Sequence, residues 1–158
     1  MEVEIREFNK EWAADFAALN YEWIERFFSV EKHDREILDD PQTYVIAPSG
    51  QIFMAVCNGV AAGTVAMIPA GESVFELTKM AVSPEFQGKG IANYLMIASI
   101  NFAREKHAKM IFLESHRKLQ PALALYRKFG FVEVPTDPNS EYARADIRME
   151  LAIGDDNM

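Results

Sequence analysis

Cysteine is almost missing from these 158 residues. Only Cys57 occurs, so no internal disulfide and no multi-cysteine zinc site can form. A lone cysteine also fits a reducing compartment. Basic residues are scarce: 16 Lys and Arg stand against 24 Asp and Glu, a formal net charge of −8 (16 − 24). General nucleic-acid binding needs a basic footprint that this chain does not carry. The acid excess leans toward cationic or neutral partners, although such a surface usually serves only solubility. Long apolar runs are absent, so no segment reads as a membrane-crossing helix. Met1-Glu2-Val3-Glu4 is acidic where a secretory leader would be basic. The expectation is a soluble, cytoplasmic protein that engages neither membrane nor nucleic acid and holds no metal.

Apolar residues are distributed in short blocks, enough for the core of one domain. We expect a single domain over residues 1–153, with 154–158 as a disordered tail. Val3 to Phe8 alternates apolar and polar, a half-buried strand. Asn9 is placed to cap a helix, and Trp12, Phe16, Leu19, Trp23 and Phe27 recur at helical spacing over 11–28. A short helix over 32–38 stops before Pro41. Two strands, 51–57 and 60–68, flank Asn58-Gly59, a two-residue hairpin turn. A third strand spans 73–82, giving an antiparallel meander. Then follow a long helix (90–106) whose spacing offers Leu95, Ile97, Ala98 and Phe102 to the core, an apolar strand (110–114), a helix opened by Pro121 and closed by Gly130, and strands at 131–134 and 143–151. The sum is an α+β domain with a central mixed sheet and helices on its faces.

The most informative stretch is Leu77-Thr78-Lys79-Met80-Ala81-Val82-Ser83-Pro84-Glu85-Phe86-Gln87-Gly88-Lys89-Gly90-Ile91-Ala92. A strand ends, a proline turns the chain, and a glycine loop opens a long helix. A helix N-terminus presents unpaired N–H groups and partial positive charge, and glycines let a phosphate approach the backbone. Lys89 adds a charge at the rim. By itself the turn reads more readily as a glycine cap that only starts a helix. It is neither a nucleoside-triphosphate loop nor a dinucleotide fingerprint, because the residue spacing fails both.

Gln87-Gly88-Lys89-Gly90-Ile91-Ala92 resembles the cofactor-binding motif of the GNAT superfamily of acyl-CoA-dependent N-acyltransferases, written Gln/Arg-x-x-Gly-x-Gly/Ala. A second hallmark follows in Ala122-Leu123-Ala124-Leu125-Tyr126-Arg127-Lys128-Phe129-Gly130-Phe131, and the element order agrees over residues 3–151. The resemblance implies a GNAT-like fold: a twisted, mostly antiparallel sheet with a splay between its two central strands. It implies acetyl-CoA as co-substrate. Backbone amides of Gln87, Gly88, Lys89, Gly90, Ile91 and Ala92 would hold the pyrophosphate. Met80, Ala81 and Val82 would line the pantetheine arm.

The resemblance further implies acetyl transfer to a primary amine by direct attack in a ternary complex. Such aminolysis needs a neutral amine, a polarised carbonyl and a protonated leaving thiolate. Tyr126, whose class has a pKa of about 10, matches the acid. Glu76, on the strand leading into the motif, is the candidate base. Ser115 and His116 are alternatives for hydrogen bonding near the site. Cys57 reads as packing, and His33 and His107 as surface groups. Leu119 stands where relatives often carry an asparagine that contacts the cofactor.

The acceptor is expected among Trp23, Phe27, Phe28, Tyr44, Tyr142, Arg144 and Asp146, with Arg144 able to meet an amino-acid carboxylate. A small molecule or amino acid is the first reading. A protein or peptide acceptor, or a non-catalytic acyl-CoA sensor, are the alternatives. Homodimerisation stays open.

Overall fold

The computed structural model describes residues 2–154. Met1 and residues 155–158, which include most of the expected tail, lie outside them. The strands are β1 (Glu4–Glu7), β2 (Gln51–Cys57), β3 (Val60–Pro69), β4 (Val74–Val82), β5 (Met110–Ser115), β6 (Val132–Val134) and β7 (Ile147–Ala152). The helices are α1 (Ala13–Phe27), α2 (Lys32–Asp39), α3 (Ile91–Glu105) and α4 (Gln120–Lys128). One seven-stranded sheet runs β1-β2-β3-β4-β5-β7-β6. All neighbours are antiparallel except β4 and β5.

Local chemistry explains most boundaries. Asn9 does cap: its side chain accepts from the Glu11 N–H at 2.8 Å, though the first turn is a 3₁₀ segment, Lys10–Trp12. Asn58 and Gly59 both take positive φ (51° and 78°), the geometry of a tight hairpin between β2 and β3. Glu31 and Asp34 form a reciprocal capping box at the start of α2. Gly130 closes α4 with φ of 102°.

The sheet is covered on both faces, which is why β2 is buried at almost every position. One core joins α3 and α4 to the sheet through Leu95, Met96, Phe102, Leu123 and Phe131. The other joins α1 and α2 to the opposite face through Phe16, Ile24, Ile37 and Leu38. Cys57 is buried in the first core, as a packing residue should be.

Two expectations need correction. Residues 143–146 do not extend β7: the N–H groups of Ala143 and Arg144 donate to the Glu31 carboxylate, so this segment docks on α2 instead. Ile97, read as core from its spacing, is half exposed on the outer side of α3.

The expected splay is present. The parallel pair β4–β5 is in register only at Val74↔Met110, Phe75↔Ile111 and Glu76↔Phe112. Past these pairs β4 continues to Val82 and β5 to Ser115 without partnering each other. A bulge adds to the opening. Thr64 pairs with Ala81 but Ala66 pairs with Thr78, so Lys79 and Met80 together oppose Val65. Lys79 sits at φ of 56°, a left-handed conformation typical of such an inserted residue.

Candidate active site

The splay opens into a cavity of about 630 Å³. One wall is β4 from Glu76 to Val82, and the facing wall is the end of β5 with α4. Asn20, Trp23, Ile24, Phe27 and Phe28 close it from α1, and Tyr142, Arg144 and Ala145 close it from the loop before β7. The glycine turn and the first turn of α3 form its far end.

That far end suits an anion. Gly88 and Gly90 take φ of 76° and 78°, and a side chain in either conformation would be strained. The N–H groups of Gly88 to Ala92 donate to nothing among the described residues. No acidic side chain sits in the first turn of α3 to compete, and no side chain caps it. Orphan donors and the positive end of a 15-residue helix therefore face the cavity together. Gln87, Gly88, Gly90, Ile91 and Ala92 line it; the exposed Lys89 does not. Lys128 braces this end, donating to the Asn93 side chain at 2.7 Å.

Tyr126 rises from α4 into the middle of the cavity. Its hydroxyl makes no hydrogen bond among the described residues, and burial pushes its pKa up to about 12. A phenol so placed stays protonated at neutral pH and keeps its proton available to an incoming acceptor atom. Leu119, at the turn before α4, offers only apolar surface to the cavity.

Glu76 enters from the other wall. Part of its surface is open to the cavity, yet protein atoms crowd it on almost all other sides. That burial raises its pKa, Lys79 pulls it back, and Glu114 adds to the rise, leaving it at about 7. A carboxyl poised near neutrality is suited to general-base work. Glu76 forms no hydrogen bond or ion pair among the described residues.

Beside it lies a network with no local sequence signature. Asp34, fully buried on α2, receives both arms of the Arg144 guanidinium at 2.7 and 2.8 Å and the Lys79 ammonium at 3.0 Å. Lys79 also donates to the Tyr142 hydroxyl at 2.6 Å. Burial alone would raise the Asp34 pKa, but the Arg144 hydrogen bonds and the Lys79 charge outweigh it and hold it at about 2. Burial pulls Lys79 down, against the opposing pull of Asp34. The network ties α2, the β4 bulge and the loop before β7 into one rigid wall.

The sequence-derived candidates divide. Trp23, Phe27, Phe28, Tyr142, Arg144, Ser115 and His116 all line the cavity. Tyr44 is exposed on a π-helical turn away from it, and Asp146 lies outside the lining, accepting from the Arg117 N–H at 2.8 Å and facing His116 at 3.4 Å. Arg144 is committed to Asp34 and Glu31 rather than open to a ligand. His33 is half-buried against Tyr142 and close to Glu36 and Glu141. These three gather possible ligand atoms within 4.8 Å of one another, but the histidine nitrogen is already shared by both carboxylates. Among the described residues no helix is long and apolar enough to cross a membrane.

Comparison with known proteins gives a consistent result. The sequence model of the acetyltransferase (GNAT) family matches residues 16–131. The uncharacterized N-acetyltransferase YjgM of Escherichia coli K12 is 37% identical over 76 residues, covering 48% of this chain and 46% of that protein. Mycothiol acetyltransferase of Saccharomonospora viridis is 34% identical over 67 residues, 42% of this chain and 22% of that protein. The chain thus spans less than half the length of these curated relatives. A GNAT-family acetyltransferase structure from Staphylococcus aureus MU50 superposes with a TM-score of 0.87 at 18% identity, covering 97% of this chain and all of that one. PaiA N-acetyltransferase from Thermoplasma acidophilum, solved in complex with coenzyme A, gives 0.72 at 20% identity over 96% and 99% of the two chains.

Proposed function

Since the chain belongs to the acetyltransferase (GNAT) family, we propose that it transfers an acetyl group from acetyl-CoA to a primary amine of a small molecule. The observation that carries the reading is the cavity itself. It runs from the orphan N–H groups of Gly88–Ala92, between β4 and β5, to Tyr126 and Glu76. These residues fit the co-substrate. The α3 N-terminus takes the pyrophosphate, and the unpartnered edge of β4 at Met80–Val82 takes the amide-bearing pantetheine arm as a strand would.

The residues then divide the chemistry. Glu76 takes one proton from the acceptor ammonium, directly or through a water. The freed nitrogen attacks the thioester carbonyl carbon, and backbone N–H groups at the Lys79–Met80 bulge steady the developing oxyanion. As the carbon–sulfur bond breaks, Tyr126 protonates the sulfur. The nitrogen gives up its second proton as the amide forms, and that proton restores the tyrosine. Glu76 returns its proton to solvent. No protein nucleophile is needed, which agrees with Cys57 lying buried on a different strand.

A small acceptor is favoured because the network around Asp34 and the contact of Lys118 with α1 narrow the acceptor end. Lys118 donates to the Phe27 carbonyl at 2.6 Å and lies 4.1 Å from the Phe28 ring centroid. Acetyl-CoA at about a hundred times its Kd should stabilise the fold by about 2.7 kcal/mol, a rise of about 5–11 °C in Tm for a chain of this size. Gly90→Glu places a carboxylate on the anion site in a disfavoured backbone conformation and should abolish the rise. No stabilisation of the unaltered protein by any acyl-CoA would refute the proposal.

A further inference from the structure

Counting Asp34 and Glu31 behind its wall, the acceptor end has four carboxylates (with Glu76 and Glu114) against three cations (Lys79, Lys118 and Arg144), and the cations are already engaged. Lys79 and Arg144 face Asp34 and Glu31, two positive charges against two negative ones. Lys118 is held by the Phe27 carbonyl and the face of Phe28. His116 is turned to Asp146. That leaves Glu76 and Glu114, both lining the cavity, neither with a hydrogen bond or ion pair among the described residues. They are close enough to repel, since Glu114 raises the Glu76 pKa. Arg148 lies opposite Glu114 in register, but its guanidinium turns to Glu150 and stacks 4.0 Å from the Phe112 ring centroid.

The strands place the two carboxylates usefully. Glu76 pairs with Phe112, and Glu114 lies two residues further on the same face of β5. Two strand rises along and one strand spacing across put their Cα atoms at least about 8 Å apart, and the splay beyond the last pair adds to that. Two half-buried carboxylates without a partner, facing one cavity, favour a cationic guest. Trp23 and Phe27 supply apolar surface nearby, and no described cation lies over the Trp23 ring.

We infer that the acceptor is an aliphatic diamine: its reacting amine is placed at Glu76, its second ammonium at Glu114, and the methylenes between them lie against Trp23 and Phe27. The inference rests on the acetyl-transfer reading for which amine reacts, but not for whether a diamine binds. A carboxylate-bearing acceptor is disfavoured. The one guanidinium lining the cavity is saturated by Asp34 and Glu31, and the remaining groups, Lys118 against Glu76 and Glu114, sum to one negative charge when both carboxyls are ionised. A monoamine fills the site while leaving Glu114 unpaired.

The test compares putrescine, butylamine and ornithine by calorimetry, with the protein alone and loaded with CoA, and by release of free CoA from acetyl-CoA. Putrescine should bind at least about tenfold more tightly than butylamine, which lacks the second charge, and than ornithine, which adds a carboxylate. Salt should weaken putrescine selectively. Glu114→Gln should cut the putrescine-to-butylamine ratio toward unity, chiefly through KM, and Glu114→Asp should retain much of it. Equal binding of the three compounds by the unaltered protein, or a ratio that survives Glu114→Gln, would overturn the inference. Diamine binding dependent on Glu114 but without CoA release would support it and refute the catalytic reading instead.

Discussion

Replacing Asp34 with asparagine isolates the buried network, because the change alters charge while hardly altering shape. Asp34 is fully buried and faces Arg144 and Lys79 together. Asparagine leaves Lys79 without its buried counter-charge and Arg144 with Glu31 alone, and it also weakens the α2 capping box. Breaking a buried pair in this way costs about 3–5 kcal/mol, or about 6–20 °C in Tm for a protein of this length. The pH dependence is the sharper signature. The folded pKa of about 2 lies below the reference value of 3.8. The ionised group therefore contributes its full stability above pH 3.8 and loses it as pH falls through 2. The gap corresponds to about 2 kcal/mol. Urea unfolding of both proteins across pH 2–6 should show the Asp34→Asn deficit shrinking by about that amount toward the acid end. A deficit under about 1 kcal/mol at pH 6, or one flat across the range, would refute the claim that this carboxylate is held ionised by its partners.

Three further outcomes follow from the same geometry. With the Glu76 pKa raised to about 7, kcat/KM should climb with pH through neutrality, and Glu76→Gln should remove that limb and lower the rate about 10²–10⁴-fold; an unchanged profile would exclude Glu76 as the base. Tyr126→Phe should slow CoA release at saturating substrates while leaving the Kd for CoA within about twofold of the original, since it deletes an unbonded hydroxyl; equal rates would remove Tyr126 as the acid. Gly63→Ala should lower the denaturation midpoint, because an added Cβ would sit 3.0 Å from Ile91 Cγ2 and 3.1 Å from the Ala81 carbonyl, pushing β3 away from α3 at the cost of about 1–3 kcal/mol.

The sequence announced features governed by a few adjacent residues. Asn58-Gly59 dictates its hairpin through positive φ, and Gln87–Ala92 dictates a left-handed glycine turn that leaves the first N–H groups of α3 unpaired. Tyr126, marked by its place in a compact motif, does line the cavity. The acceptor wall was not. Arg144 meets Asp34 from 110 positions away, and no periodicity encodes such a pairing. Reading 143–151 as one strand followed local alternation, which lost to the carboxylate of Glu31. Lys79 escaped notice because alternation along β4 assumes a regular strand. The inserted residue opposite Val65 appears only once β3 and β4 are paired. Glu114 was seen merely as a strand end, since nothing in its neighbours shows that Arg148 turns elsewhere.

The short spine between β4 and β5 also has a mechanical meaning. Three register pairs join a leaf of β1 to β4 to a leaf of β5, β7 and β6, so the sheet is hinged like a book rather than continuous. A change in the angle between the leaves keeps each leaf's own ladders but must shear the core that spans both, where Leu77 of β4 is clustered with Leu113 of β5 and Met149 of β7. It changes the width at the open margin most, where Val82 and Ser115 stand. Amide hydrogens from Lys79 to Val82 should exchange faster than those of β2 and β3, and a guest bridging both pages should slow them together. The same three pairs set how far the two walls of the cavity can part.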